Sequence, residues 1–145
     1  MIQQLMIQRD GFFISTDPAR LDLDAIERLL GSAYWASQRS RAATDVAVKN
    51  SLCFGLYEAR SGRQIGMSRV VTDYSTFAWL CDVIIEEEHR GKGLGTWMIE
   101  AVLADPRVIH VGRWILATSD AHRLYERFGF TPMAHADRWM ERVPY

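Results

Sequence analysis

The chain has 145 residues, enough to bury a sizeable core as one domain over 1–145 without disulfide or metal staples. Its composition, 48% hydrophobic and 24% charged, excludes a disordered or low-complexity chain. A formal charge of -1 excludes a global field that recruits nucleic acid or an acidic membrane surface, so any anion site must be local.

The N-terminal stretch lacks a basic segment followed by an apolar one, and no apolar run approaches the ~18 residues of a membrane span. Residues 3–15 read as two short strands about the turn Arg9-Asp10-Gly11, since Asp-Gly is a favoured hairpin pair. A first helix follows, with Asp22 as N-cap, Leu23, Ile26, Leu29 and Leu30 at helical spacing, and Gly31 as its stop. A second helix covers residues 40–50, with Ala42, Ala43, Val46 and Ala47 as a weakly apolar face. Strands are predicted over 52–58, 64–73 and 77–85, joined by turns at Arg60-Ser61-Gly62 and Asp73-Tyr74-Ser75 into an antiparallel meander. Cys53 and Cys81 lie inside these apolar runs, where a free thiol behaves as a small hydrophobe, and a reduced cytoplasmic setting is expected. Residues 94–104 form a helix that is apolar nearly all round and ends at Asp105-Pro106. Residues 111–119 are a further strand. A short helix follows, with Asp120 as cap and Gly129 as stop, and residues 138–143 are expected to close the sheet. The order implies a mixed α/β sheet with helices on both faces.

The stretch EEEHRGKGLGTW, residues 86–97, concentrates the chemistry. Gly91, Gly93 and Gly95 remove side chains at alternate positions, so backbone amides can approach something bulky and anionic. A Walker loop is excluded because Lys92 is followed by Gly93 and stands too early. A dinucleotide fingerprint is excluded because the spacing is Gly-x-Gly-x-Gly after an antiparallel meander. What remains is a strand, a short loop and a helix N-terminus whose free amides, from Gly91 to Thr96, suit a pyrophosphate.

Arg90-Gly91-Lys92-Gly93-Leu94-Gly95 resembles the pyrophosphate loop of the GNAT superfamily of N-acetyltransferases. Residues 121–130, AHRLYERFGF, resemble that family's second block. The resemblance implies a GNAT-like α/β fold, a mixed, mostly antiparallel sheet of about six to seven strands with about four helices on both faces. It implies acetyl-CoA as co-substrate and no metal. The pyrophosphate would lie against Arg90, Gly91, Lys92, Gly93, Leu94, Gly95 and Thr96, and the pantetheine arm would pair with the strand backbone at Val83, Ile84 and Ile85. Tyr125 would protonate the leaving thiolate. The acceptor pocket would be shaped by Tyr34, Trp35, Arg39 and Arg41 between the first two helices. The sequence departs from the family where some members carry a basic carboxylate early on the cofactor strand, since Trp79 stands there, and where an Asn often precedes the second block, since Thr118 stands there.

Asp82 interrupts the run FAWLCDVII, and a carboxylate there must find partners or a shifted pKa. It reads either as a structural pair with Arg69 or as a base for the incoming amine. Asp73, Asp82 and Glu86 to Glu88, with Trp35, Tyr74 and Trp79 as aromatic surface, suggest a small cationic amine as acceptor. His89, His110, His122 and His135 show no paired ligand spacing, so no metal is expected. The expected protein is a monomeric or homodimeric enzyme acting on a small-molecule primary amine, with no nucleic-acid or membrane partner. The alternatives are a CoA-binding sensor without turnover and an acetyltransferase acting on a peptide or protein amine.

Overall fold

A computed structural model describes residues 4–144. The chain opens with a hairpin, β1 (Met6–Arg9) and β2 (Phe12–Ser15). Its two turn residues both take left-handed dihedrals, Asp10 at φ 49° and Gly11 at φ 86°, which match the twist of a two-residue hairpin loop. Helix α1 (Leu23–Gly31) starts where the Asp22 carboxylate accepts from the amides of Asp24 and Ala25. Its end is set by Ser32, whose hydroxyl and amide both donate to the Leu29 carbonyl, and Gly31 remains the last helical residue rather than a left-handed stop.

Helix α2 (Arg41–Lys49) is capped by Ser40. It turns inward the face carrying Thr44 and Val48, not the expected alanine face, and Val46 is exposed. At the start of the helix Arg41 donates to Asp24 of α1 and Asp45 of its own helix, both at 2.9 Å. That fixes one side of α2 against α1.

Three long strands follow, β3 (Leu52–Glu58), β4 (Gln64–Thr72) and β5 (Ala78–Ile85), antiparallel as the turns required. Helix α3 (Leu94–Ala104) comes next, then β6 (Trp114–Ile115) and α4 (His122–Glu126). The six strands form one sheet in chain order, and only β6 runs parallel to its neighbour.

Each face of the sheet is covered. Leu52, Phe54 and Leu56 of β3 pack with Trp97, Met98 and Val102 of α3, while Cys53, Met67 and Ile84 pack with Ile26, Leu29 and Leu30 of α1. The alternation of neighbours between two cores is the period-two geometry of a strand buried on both sides. No helix is long and apolar enough to cross a membrane among the described residues.

The structure corrects the last third of the predicted elements. The expected strand over 111–119 shrinks to two paired residues, and its remainder leaves the sheet. Residues 138–143 form no strand. A 3-10 turn ends at Arg138, and Trp139 then packs on Phe77 with the Arg113 guanidinium 4.7 Å from its ring, so the segment lies against the sheet's end instead of its edge. Asp120 does not cap α4. The N-cap is Ala121, which makes no side-chain cap bond, and its own amide donates to the Thr118 hydroxyl.

Candidate active site

Two breaks in β5 shape the site. The first lies on its inner edge, where Met67 pairs with Ile84 and Arg69 with Cys81, so Ser68 alone faces both Asp82 and Val83. This is a bulge, and Asp82 sits in it at φ 54°. Across the bulge the alternation resets. Ala78 and Leu80 before it, and Val83 and Ile85 after it, all pack on the α3 side.

The second break lies on the outer edge. Strand β6 pairs with β5 only through Ala78 with Trp114 and Trp79 with Ile115. Beyond that the two diverge, and Leu80 to Ile85 run along a cavity of about 750 Å³ whose opposite wall is Leu116, Ala117 and Thr118. The cavity continues to the start of α3 at Gly93, Leu94, Gly95 and Thr96, and to Leu124 and Tyr125 of α4.

The glycine loop is built as its composition required. Gly91 and Gly93 have φ of 80° and 78°, which L side chains rarely adopt, and a Cβ on either would meet no atom within 4 Å. The space in front of both is therefore open for a ligand. Arg90 also borders the cavity, and its Nε donates to the Ile85 carbonyl at 2.9 Å, so it pins the loop to the end of β5. Lys92 turns elsewhere. Its Nζ lies 5.8 Å from the Phe12 ring, outside the cavity lining.

Tyr125 is half-buried at the cavity wall, packed edge-on to Phe130. Burial, with smaller contributions from Asp120 and Tyr34, pushes its phenol pKa up. It therefore keeps its proton well into the alkaline range. Tyr34 crosses the cavity mouth and accepts from the Ser119 amide at 3.2 Å and the Ser119 hydroxyl at 2.6 Å, which ties the α1–α2 connection to the β6–α4 loop.

Asp82 is a clamped structural carboxylate, which corrects its candidacy as a base. The side chain is 1% exposed. Oδ1 accepts from Trp35 Nε1 at 3.1 Å and from Arg39 at 3.2 Å, and Oδ2 from Arg39 at 2.7 Å and Arg69 Nε at 2.8 Å. Burial pushes its pKa up, but the bonds and charges of Arg39 and Arg69 outweigh that and hold it below the ordinary carboxylate value. Such a group has little appetite for an amine's proton.

Of the other acids expected to gather around a cationic acceptor, Asp73 and Glu86 are engaged elsewhere, and Glu87 and Glu88 are exposed outside the cavity lining. Asp73 lies outside the cavity lining and accepts from the Thr76 hydroxyl and from the amides of Ser75, Thr76 and Phe77, which hold its pKa well down. Tyr74, at φ 63° in the same turn, is outside the lining too. Glu86 meets Arg63 at 2.6 Å and Arg28 at 3.6 Å. Glu86, Glu88 and His89 do bring three donor atoms within 4.8 Å of one another, a convergence the histidine spacing did not suggest. Those arginines already supply Glu86 with its counter-charge. Trp35, Arg39 and Trp79 do line the cavity, whereas Arg41 is spent on α1.

The thiols are quiet. Burial raises Cys81 to about 11 and Cys53 to about 12. Neither is a thiolate at neutral pH.

A glycine-lined helix start, a strand edge left unpaired by a diverging neighbour and a tyrosine at the same cavity give a definite basis for comparison with known proteins. The family model described as an acetyltransferase (GNAT) domain matches residues 49–132. The chain belongs to the GNAT acetyltransferase family. A GNAT-family crystal structure from Xanthomonas campestris pv. campestris is 42% identical, with a TM-score of 0.88 over 94% of this chain and 95% of that one. FG08082 of Gibberella zeae, an acetyltransferase by name, is 37% identical over 139 aligned residues, covering 81% of this chain and 77% of the relative. Rv2747 from Mycobacterium tuberculosis, solved in complex with CoA, shares the fold at 18% identity and a TM-score of 0.64, over 77% of this chain and 68% of that one. Within this GNAT domain the matched region runs from the end of α2 past Gly129, so it includes the bulge, the glycine loop and Tyr125.

The sequence alone did not reveal the bulge, the divergence of β6, or the bond from Ser119 to Tyr34. The polar Asp82 within an apolar strand was the one local hint of the bulge.

Proposed function

We propose that this GNAT protein transfers the acetyl group of acetyl-CoA to a primary amine of a small molecule, within a ternary complex and by direct attack. The observation that carries the reading is the continuity of one cavity. It joins the free edge of β5, the amides that open α3 and the Tyr125 ring. The residues present suit such a ligand. The amides of Leu94, Gly95 and Thr96 precede the first intrahelical donor, since the Trp97 amide is the one that bonds Gly93, and they carry the positive end of the α3 dipole toward a pyrophosphate. The unpaired edge from Leu80 to Ile85 offers backbone groups to an amide-bearing arm, as an added strand would use them.

In the reaction the neutral amine attacks the thioester carbonyl, a C–N bond forms and the C–S bond breaks. A backbone amide near Val83 can polarise the carbonyl oxygen. The departing thiolate takes the Tyr125 proton, the attacking nitrogen sheds its extra proton to solvent, and the phenolate is reprotonated from the same source, its pKa raised by burial. With Cys81 protonated, an acyl-cysteine route has no ready nucleophile.

The test is to titrate acetyl-CoA into the protein by calorimetry and then follow thiol release with a panel of amines, including amino acids, polyamines, aminoglycosides, arylalkylamines and peptide N-termini. Binding followed by amine-dependent thiol release is expected. Binding without thiol release for every amine would leave a CoA-binding module and overturn the enzyme reading.

A further inference from the structure

Two guanidinium groups meet one carboxylate at the end of the cavity remote from the glycine loop. Arg39 and Arg69 against Asp82 leave one positive charge uncompensated. Each Asp82 oxygen already accepts two bonds, so nothing remains for an acceptor's ammonium group. Arg69 is buried, and its NH1 is spent on the Ser51 hydroxyl at 3.0 Å. Arg39 is different. Its side chain is 24% exposed, it lines the cavity, and beyond the two nitrogens that bond Asp82 its guanidinium has no other acceptor among the described residues. Trp35 and Trp79, both exposed, stand on the same stretch of wall. Among the described residues, the other carboxylate in the lining is Asp120, placed on the far side with Tyr125. A surplus charge in a partly dehydrated site attracts an anion far more strongly than it would in water, and with its end-on fork on Asp82 Arg39 still has Nε–H and an outward terminal N–H to offer an oxyanion.

We infer that the acceptor is an amine that also carries an oxyanion, a carboxylate or a phosphate, and that Arg39 receives that group. The inference deepens the proposed acetyl transfer and rests on it. It replaces the cationic acceptor suggested by the acids along the chain, because the structure engages Asp73, Asp82 and Glu86 elsewhere and leaves Glu87 and Glu88 exposed outside the cavity lining.

The experiment compares kcat/KM, at saturating acetyl-CoA, within matched pairs: amino acids against their carboxamides, and O-phosphoethanolamine against ethanolamine. The anionic member of at least one pair should be favoured by roughly tenfold or more, and the pair concerned distinguishes carboxylate from phosphate. Arg39→Gln should bring that ratio close to one, and Arg39→Lys should keep part of it, with acetyl-CoA affinity unchanged in both by calorimetry. Equal or better turnover of the neutral members would overturn the inference. So would an Arg39→Gln enzyme that loses both members of a pair by the same factor, since that is how a purely structural arginine behaves. If no amine is turned over, the same pairs are titrated into the CoA-loaded protein, where absence of an anion preference overturns it. Failure of acetyl-CoA itself to bind would overturn the underlying reading as well, and the first titration would show it separately.

Discussion

At the scale of single residues, the half-buried Tyr125 and the buried Asp82 are ionisable groups held in opposite states. Burial keeps Tyr125 protonated, and Arg39 and Arg69 keep Asp82 ionised against the same desolvation. Tyr125→Phe should lower kcat by roughly 100-fold while acetyl-CoA affinity changes little, because a proton donor used in the transition state is lost with almost no packing volume. Wild-type kcat should hold beyond the ordinary tyrosine range of about pH 10 before declining, and the variant should lack that decline. A stopped-flow thiol assay across pH checks both. Asp82→Asn should cost roughly 3 kcal/mol of stability at neutral pH, since two arginines lose their buried partner. The sign with pH follows from the depressed pKa. The carboxylate's contribution is complete above the unfolded value of about 4 and is lost as pH falls through the lower folded value. Urea denaturation at pH 7 and pH 3 should therefore show a gap between wild type and variant that narrows in acid. A gap independent of pH would mean that the arginines do not hold this carboxylate charged.

At the scale of elements, the start of α3 is where a backbone conformation becomes a binding surface. Gly93 is a poor position for testing this, because at φ 78° any side chain strains the loop as well as blocking a ligand. Gly95 separates the two effects. It lies in the first turn of the helix without a positive φ, and a Cβ there meets nothing closer than Ile85 Cγ1 at 4.0 Å. Gly95→Val should melt near the wild-type temperature yet bind acetyl-CoA roughly tenfold or more weakly, the loss expected when a charge-assisted amide bond of about 1.5–3 kcal/mol is obstructed. Calorimetry on the folded variant reads this, and unchanged affinity would remove the pyrophosphate from the loop. The turn between β4 and β5 is the contrasting element, since Asp73 serves it as a hub of four donated bonds and the cavity not at all.

At the scale of the molecule, the cavity exists because β6 abandons the sheet after two residues, so β5 borders open space where a wider sheet would have filled it with another strand. The cores on the two faces of the sheet hold β5 from both sides, and a ligand in the gap completes packing that the chain leaves unfinished. Acetyl-CoA at about 100 times its Kd should stabilise the fold by about 2.7 kcal/mol, which in a chain of this size raises Tm by roughly 5–10 °C. Thermal unfolding with and without acetyl-CoA measures this, and the Gly95→Val protein at the same acetyl-CoA concentration should show about half that shift or less.

What the sequence determined by itself was local: the Asp22 cap, the Asp10-Gly11 hairpin, the bounds of β3 and α3, and the glycine spacing that marks the loop. Each depends on residues within a turn of one another, so dihedral preference and hydrogen-bonding reach are readable along the chain. Pattern misled where the apolar face was weak. In α2 the alanines offered little area to bury, and Thr44 and Val48 face inward instead. Only the tertiary structure decided what the acids do. The sequence already offered Arg69, 13 residues away on the neighbouring strand, as a partner of Asp82, but Arg39 at 43 and Trp35 at 47 residues are brought to it by folding, and no periodicity along the chain encodes those two encounters. Charges that look available in a sequence are available only if folding brings no counter-charge to them. Here folding brought two arginines to one aspartate, which leaves that part of the cavity wall with a surplus positive charge.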